Sequence, residues 1–227
     1  MTGPGTDPFR ILDLRGVALD ASAVAPAADH VASGGILVYP TETVYGLGAA
    51  VTPEGVAALR AGKGRDAAKP FLALIRSAAD AASLLWTAAA RELADVFWPG
   101  AVTLVLADPS GMFPEGVRSP DGTVAVRVSP HPVVRALLDR LGGPLLSTSA
   151  NAPGGPPARS GHEAATVARG LGGAAKILVI DGGTLPASAP STIVDCTGPV
   201  PVIVRQGSVP TERLRCVLPE IHARTTD

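Results

Sequence analysis

Residues 35–48, with the sequence GILVYPTETVYGLG, contain the pattern that decides the fold. Residues 35–39 form a short apolar run bounded by glycine and Pro40, which is typical of a buried strand. Pro40 ends this strand, and a polar loop follows. Thr52-Pro53 then predicts a helix start, because a hydroxyl can cap a helix and proline fits its first position. A strand, a polar loop and a helix in this order favour an α/β protein.

The same alternation of strand and helix patterns continues to the end of the chain. Helices are predicted at residues 53–62, 78–96, 132–141 and 163–169, and strands at residues 71–75, 102–106, 124–128, 177–180, 192–194 and 202–204. Leu145-Leu146 also enters a strand end, which continues into the polar residues 147–151. The last three strands lie too close together to be joined by helical crossovers. We therefore predict one α/β domain with a mixed parallel and antiparallel sheet, spanning residues 13–217, with tails at residues 1–12 and 218–227.

The composition narrows the class of function. The chain has 227 residues with 19 Lys and Arg against 20 Asp and Glu, so it lacks the basic excess of a protein that holds nucleic acid by phosphate contacts alone. Its two cysteines form neither a CxxC pair nor a zinc-ligand cluster, and no metal site is predicted. No stretch has the length of a membrane span, and residues 1–9 do not read as a signal peptide. A cytoplasmic protein without membrane partners is expected.

Several familiar motifs are incomplete. Gly46-Leu47-Gly48 follows a strand, but the third glycine of a dinucleotide-binding fingerprint is replaced by Val51. Gly62-Lys63 lacks the hydroxyl residue and the upstream glycine of a phosphate-binding P-loop. The chain has no nucleophile elbow, and His162-Glu163 lacks the second histidine of a zinc protease. These patterns argue against acyl-enzyme and zinc-hydrolase chemistry.

Polar clusters that end apolar strands are the remaining candidates for a site, because ligands bind at strand ends in α/β sheets. The clusters are residues 41–43, Lys63-Gly64-Arg65 with Lys69, and residues 147–151. Each has a structural alternative: cations also favour helix C-termini, and Ser and Asn favour turns. Arg127 lies within an apolar strand, so it needs an anionic partner, either a carboxylate of this chain or one of a ligand. Arg205 poses the same choice.

Taken together, the clusters describe a pocket with several cations and many hydroxyls. Such a pocket suits a polyanionic ligand, with chemistry that depends on positioning and charge neutralisation. From the residues alone, a nucleotide-binding or phosphate-binding protein is predicted.

The order of the motifs resembles that of the YrdC family. The resemblance spans roughly residues 20–210 and rests first on residues 39–48, on a K-x-R pair at Lys63 and Arg65, and on an S-x-N pair at Ser149 and Asn151. Further matches follow in order: Lys69-Pro70, Trp98-Pro99-Gly100, Thr103-Leu104, Val126-Arg127, His131-Pro132, residues 191–195 and Arg205-Gln206-Gly207.

The resemblance implies an enzyme that converts ATP, L-threonine and bicarbonate to threonylcarbamoyl-AMP and pyrophosphate, for the threonylcarbamoyladenosine modification of tRNA. It implies a twisted mixed sheet around a large cationic cavity that holds ATP, with Mg²⁺, beside L-threonine. The residues expected to face threonine are Thr43, Arg127, Ser147 and Ser191. The residues expected to face ATP are Lys63, Arg65, Lys69, Thr123, Ser149, Asn151 and Arg205, with Lys63 and Arg65 in the catalytic role.

The sequence also departs from the family pattern. Leu74 stands where longer relatives have a threonine-contacting histidine, and Pro153 replaces a hydroxyl in the loop after S-x-N. That loop, residues 152–161, is either a mobile lid or a plain surface connection. The chain resembles the short, single-domain bacterial form, which passes its product to a separate transferase complex acting on tRNA. Two other functions stay open: a non-catalytic module that binds double-stranded RNA or tRNA, and a YrdC relative with a different carbamoylation substrate.

Overall fold

A computed structural model describes residues 9–66 and 69–224. Its strands are β1 (Phe9–Asp13), β2 (Ile36–Tyr39), β3 (Gly46–Gly48), β4 (Leu72–Leu74), β5 (Val102–Ala107), β6 (Thr123–Arg127), β7 (Leu145–Ser149), β8 (Ile177–Asp181), β9 (Thr192–Asp195), β10 (Val202–Arg205) and β11 (His222–Ala223). Its α-helices are α1 (Ala25–Ala32), α2 (Pro53–Lys63), α3 (Ala88–Phe97), α4 (Pro132–Leu141), α5 (Gly161–Arg169) and α6 (Thr211–Arg215), with a 3₁₀ helix at Ala78–Ala81.

The strands form one sheet in the order β1-β8-β2-β3-β7-β4-β6-β5-β9-β10-β11. Parallel pairs are β1/β8, β2/β8, β4/β6, β5/β9 and β10/β11. Antiparallel pairs are β2/β3, β3/β7, β4/β7, β5/β6 and β9/β10. The prediction of a mixed sheet in an α/β domain is therefore confirmed.

Strand β2 is apolar at every position because both of its faces are buried. Ile36 and Val38 belong to one buried cluster, to which α2, α3 and α5 contribute, whereas Leu37 and Tyr39 belong to a second cluster with α1 and α4. Successive side chains of a strand point to opposite faces, so a strand covered on both faces must be apolar at every position. Helices on both faces hold this part of the sheet in the interior.

The ends of α2 follow from its sequence and place the K-x-R pair. The Thr52 hydroxyl accepts a hydrogen bond from the Gly55 amide at 3.1 Å, and Pro53 opens the helix. The helix ends at Lys63, one residue beyond the predicted end, because Gly64 takes a left-handed conformation at φ +59°. Lys63 thus lies in the last helical turn, and Arg65 follows the reversal of the chain.

The single helix predicted at residues 78–96 is wrong, because this segment is interrupted. A 3₁₀ helix covers Ala78–Ala81, and α3 begins only after Thr87, whose hydroxyl accepts from the Ala90 amide at 3.1 Å. Between them, the Leu85 amide donates to the Ala107 carbonyl at 2.9 Å. This contact with β5 is long-range, so the helical composition of the segment gave no sign of it.

The predicted tails are also wrong where the structure describes them. Residues 9–12 belong to β1, which pairs in parallel with β8, whereas residues 1–8 lie outside the described residues. At the other end, Leu218 and Ile221 are buried and β11 pairs with β10; residues 225–227 lie outside the described residues. Both edge strands pair with distant segments.

Strand β3 was missed as well, because two of its three residues are glycine. Within residues 9–66 and 69–224, no helix has the length and hydropathy needed to cross a membrane.

Candidate functional site

A cavity of about 320 Å³ lies against the middle of the sheet. Thr103 and Val105 of β5 line it beside Ala125 and Arg127 of β6, since residues two apart share one face of a strand. The rest of its lining is Thr41, Thr43, Val44, Tyr45, Gly46, Arg65, Pro70, Leu72, Ser147, Thr148, Ser149, Pro190, Ser191, Ile193, Val204 and Arg205. The sheet therefore gathers onto one surface side chains that are far apart in the sequence.

Lys63, the first residue of the K-x-R pair, contacts both residues of the S-x-N pair. Its ammonium donates to the Thr148 hydroxyl and to the Asn151 side-chain oxygen, each at 3.1 Å, and to the Ser149 carbonyl. The Ser149 hydroxyl donates to the same Asn151 oxygen at 2.6 Å. Lys63 and Asn151 are absent from the cavity lining itself but contact Thr148 and Ser149, which belong to it.

The charge of Lys63 is destabilised by its surroundings. Burial of the ammonium, and secondly the nearby charge of Arg65, lower the pKa of Lys63 to about 8. Neutral oxygens satisfy its hydrogen bonds without compensating its charge. An anionic ligand that reached Lys63 would therefore favour the protonated form and raise this pKa.

Arg65 faces the cavity from the loop after α2. Its Nε donates to the Lys69 carbonyl and one terminal nitrogen to the Pro70 carbonyl, both at 3.0 Å. The other terminal nitrogen donates to the Thr148 hydroxyl at 3.3 Å, and the guanidinium lies 5.2 Å from the centre of the Phe71 ring. Burial lowers the pKa of Arg65, and the charges of Arg60 and Arg205 lower it further. Arg65 remains charged, because an arginine pKa lies far above neutral pH.

Arg205 and Ser191 also line the cavity and contact each other. Arg205 donates to the Ser191 carbonyl at 2.7 Å, and the Ser191 hydroxyl lies 2.8 Å from the Thr103 hydroxyl. Gly207 makes this arrangement possible: a Cβ there would lie 2.2 Å from the Pro190 carbonyl oxygen and 2.4 Å from the Ser191 carbonyl carbon. The glycine of the R-Q-G motif thus allows the Ser191 backbone to pack closely.

Ser147 is oriented by Tyr39, which donates to its hydroxyl at 2.7 Å. The proton of Ser147 is therefore free to be donated into the cavity. The Tyr39 ring also explains the glycines of β3, since a Cβ at Gly48 would lie 2.8 Å from the ring and one at Gly46 would lie 3.2 Å from it. These glycines leave room for Tyr39 and, at Gly48, for the Leu146 carbonyl oxygen, which would lie 2.6 Å from a Cβ there.

Thr43 lies beside Thr41 at the end of the loop that begins at Pro40. The Thr41 hydroxyl donates to the Val44 carbonyl at 2.6 Å and lies 3.0 Å from the Thr43 hydroxyl. Because the Thr41 proton is already used, Thr43 is the donor within this pair. The oxygen of Thr43 is left as an acceptor at the cavity wall.

Arg127 has a carboxylate of this chain as its partner. It is 4% exposed, and its Nη1 donates to Glu42 Oε1 at 3.0 Å. The second Glu42 oxygen accepts from the Ser129 hydroxyl. Arg127 Nε is buried and has no hydrogen-bond partner. The first of the two partners expected from the sequence is therefore present, although the arginine retains a donor that a ligand could use.

The ion pairs of the described residues leave the other cations of the site without a carboxylate. These pairs involve Arg15, Arg76, Arg118, Arg127 and Arg140. No group of three or more His, Cys, Asp or Glu side chains in the described part of the chain could hold a metal ion. The side chains at the cavity are mainly hydroxyls and cations, which fit phosphate oxygens and do not fit a Mg²⁺ ligand set.

Two of the sequence-predicted site residues, Lys69 and Thr123, contribute less directly, and Leu74 is a position where no contact was expected. Lys69 is exposed, and its backbone carbonyl, not its side chain, contacts Arg65. Thr123 shares the face of Arg127 on β6 but lies outside the cavity lining, where its hydroxyl is 2.9 Å from that of Ser119. Leu74 is fully buried and does not line the cavity. The loop after Asn151 is anchored, since Ala158 is buried and its amide donates to the Ala150 carbonyl at 2.7 Å.

Several polar side chains of the site were not assigned from the sequence, among them Tyr39, Glu42, Thr103 and Thr148. Thr103 gave a signal, since it is a hydroxyl residue within an apolar strand. Thr148 and Glu42 lie inside clusters that were recognised. Their partners are distant in the sequence, which is why their roles could not be read from it.

Comparison with known proteins identifies a family model and several relatives that match this chain. A family model described as Telomere recombination (Sua5_yciO_yrdC) matches residues 29–207. A Bacillus subtilis protein named threonylcarbamoyl-AMP synthase is 33% identical over 204 residues, covering 88% of this chain and 57% of the relative. A Mycobacterium tuberculosis protein named putative threonylcarbamoyl-AMP synthase is 38% identical over 199 residues, covering 86% of this chain and 88% of the relative.

Solved structures of proteins in this family also resemble the fold of this chain. Pyrococcus abyssi Sua5 complexed with L-threonine matches with a TM-score of 0.85 and 32% identity, covering 95% of this chain and 62% of that chain. Escherichia coli YciO matches with a TM-score of 0.77 and 25% identity, covering 91% and 98%. This chain thus spans less than two thirds of the Bacillus and Pyrococcus relatives and most of the length of the other two.

The mixed sheet, with its cavity of hydroxyls and cations, defines an α/β protein suited to a polyanionic ligand. The chain belongs to the Sua5/YciO/YrdC family, which confirms the resemblance seen in the sequence.

Proposed function

We propose that this chain is an L-threonylcarbamoyladenylate synthase, which uses ATP, L-threonine and bicarbonate and releases pyrophosphate. The observation that carries the proposal is the convergence of Arg65, Arg205 and Arg127 on one cavity, with Lys63 in contact with its lining residue Thr148. Two relatives carry the name of this activity, and a third was solved with L-threonine. An adenylate-forming enzyme needs such a site for the charge of a triphosphate.

The triphosphate would lie at the end formed by Lys63, Arg65 and Arg205, which have no carboxylate partners among the described residues. The amino acid would lie at the end formed by Arg127, Ser147 and Thr43. There Arg127 and Ser147 can donate to its carboxylate, and the Thr43 oxygen can accept from its ammonium.

The reaction would begin with the neutral threonine amine and bicarbonate, which condense to N-carboxythreonine with loss of one water molecule. A carbamate oxygen then attacks the α-phosphorus of ATP, the bond to the bridging oxygen breaks, and pyrophosphate leaves. Two anions must meet in this step, so the site has to offset their repulsion. Lys63 and Arg65 would neutralise the phosphate charge, an effect that is typically worth about 100- to 1,000-fold in rate.

Mg²⁺, where it accompanies ATP, would be held by the nucleotide phosphates, because the described residues at the cavity do not offer a carboxylate set for it. A cytoplasmic location, contact with tRNA and delivery of the product to a threonylcarbamoyl transferase complex remain predictions from the family resemblance.

The test is pyrophosphate release by the purified chain with ATP, bicarbonate and single amino acids, with a Lys63→Ala, Arg65→Ala double variant as the inactive control. Release that depends on threonine supports the proposal. Release that requires a different acceptor would identify a relative with another carbamoylation substrate. Binding of double-stranded RNA or tRNA without any release would identify a non-catalytic module and refute the enzyme.

A further inference from the structure

The arginines of the cavity differ in charge balance, because Arg127 has Glu42 as a partner whereas Arg65 and Arg205 have no carboxylate partner among the described residues. We propose that Glu42, by neutralising Arg127, reserves the Arg127 end of the cavity for a zwitterionic α-amino acid and excludes phosphate groups from it. This inference rests on the proposed function, and it makes Glu42 a positioning residue that determines specificity by acting through Arg127.

The cations proposed to bind the triphosphate are not neutralised by carboxylates of the described residues. Lys63, Arg65 and Arg205 donate to hydroxyl and carbonyl oxygens, and no described carboxylate forms an ion pair with them. Their charges therefore add, and their end of the cavity attracts a ligand with several negative charges. Arg127 is close enough to lower the pKa of Arg205, which is already lowered by burial. An unpaired Arg127 would extend the cationic surface towards the amino-acid end.

The geometry of the Arg127–Glu42 pair leaves one edge of the guanidinium without a hydrogen-bond partner. Glu42 accepts from Nη1, whereas Nε is buried without a hydrogen-bond partner. Nε and Nη2 together form the edge with which arginine binds a carboxylate through two parallel hydrogen bonds. Glu42 thus removes the net charge of Arg127 while leaving free the edge that recognises a carboxylate.

Glu42 is held in this position from the other side. The Ser129 hydroxyl donates to its second oxygen, and Ser129 in turn accepts from the His131 amide at 3.2 Å. Burial lowers the pKa of His131 although the charge of Glu42 raises it, so the imidazole is neutral at neutral pH and does not replace Arg127 as the counter-charge. The pair as a whole carries no net charge.

A ligand with a carboxylate and an ammonium matches such a pair, because each of its charges meets an opposite one. A phosphate group, or a carboxylate without an ammonium, would gain from Arg127 but be repelled by Glu42. Each of these charge interactions changes binding by about tenfold at partly screened distances. The expected consequence is a preference for an amino acid over the same molecule with a hydroxyl in place of its ammonium.

The experiment compares the binding of L-threonine with that of its 2-hydroxy analogue, 2,3-dihydroxybutanoate, by calorimetry at pH 7.5. The variants are Glu42→Gln, which removes the charge and keeps the shape, and Glu92→Gln, which makes the same change at an exposed residue outside the cavity. We expect Glu42→Gln to lower the preference for threonine by about tenfold, and Glu92→Gln to change it by less than about twofold. Pyrophosphate should compete with threonine in Glu42→Gln and not in the wild type.

Thermal melting separates specificity from folding, since a buried arginine left without its partner is destabilising. Glu42→Asp, which restores the charge, should recover the preference. A folded Glu42→Gln protein with the wild-type preference and no competition from pyrophosphate would overturn this inference alone. A wild-type protein that binds neither ligand would overturn the proposed function and this inference with it.

Discussion

From the lowered pKa of Lys63 we predict how kcat/KM for ATP depends on pH. Burial and the nearby charge of Arg65 lower this pKa to about 8, so the charge that we propose for binding the phosphates would be lost within the pH range of an ordinary assay. We expect Lys63→Arg to remove this loss, because arginine stays protonated well above pH 9.

The magnitude follows from the pKa. Lys63 would be about 90% protonated at pH 7, about 50% at pH 8 and about 10% at pH 9. If only the protonated form binds ATP productively, kcat/KM for ATP falls about fivefold between pH 8 and pH 9, because this constant reports the ionisation of the free enzyme. The direction is fixed by the sign of the shift: the free site holds its proton below pH 8 and loses it as the pH rises.

The assay is pyrophosphate release at limiting ATP and saturating threonine and bicarbonate. Threonine and bicarbonate also ionise in this range, so the informative quantity is the ratio of wild type to Lys63→Arg at each pH. Lys176→Arg serves as the matched control, since Lys176 is exposed and lies outside the cavity. Calorimetry adds a reading that does not need turnover: ATP binding at pH 8 should take up about half a proton in the wild type and none in Lys63→Arg.

Two results together would refute the reasoning. One is a wild-type profile parallel to that of Lys63→Arg between pH 7 and pH 9. The other is ATP binding at pH 8 without proton uptake. Lys63 would then either ionise outside this range or lie away from the phosphates.

Two further predictions concern residues that position the site. Tyr39→Phe removes the hydrogen bond to Ser147, so KM for threonine should rise about threefold to tenfold with KM for ATP unchanged; an equal change in both constants would contradict this role. Gly207→Ala forces the Ser191 backbone to move, so kcat/KM for ATP should fall about 100-fold. Gly198→Ala is its control, because a Cβ there lies 3.7 Å from the nearest atom; equal losses in both variants would contradict the argument.

Much of the local structure was readable from the sequence. Helix α4 was predicted with its observed bounds, and α2 with its Thr52 cap, because capping residues and apolar spacing act over a few neighbouring residues. The apolar run of β2 was recognised for the same reason. The segment at residues 78–96 was misread, because the contact of Leu85 with Ala107 overrides its helical composition.

The candidate site was predicted as a set of residues but not as an arrangement. The sequence placed Lys63, Arg65, Ser149 and Asn151 in two motifs, and the tertiary structure joins them through Lys63. The sequence also showed that Arg127 needs an anionic partner without identifying it.

The sequence by itself determined the fold class, the family and most of the polar residues of the cavity, since these depend on short-range patterns and on the order of motifs. Only the tertiary structure decided that Glu42 pairs with Arg127, 85 residues away, and that Lys63 reaches the Ser149 carbonyl, 86 residues away. The physical reason is that pairings between distant segments follow from the strand order and register of the sheet, for which no local stretch of sequence carries a signal.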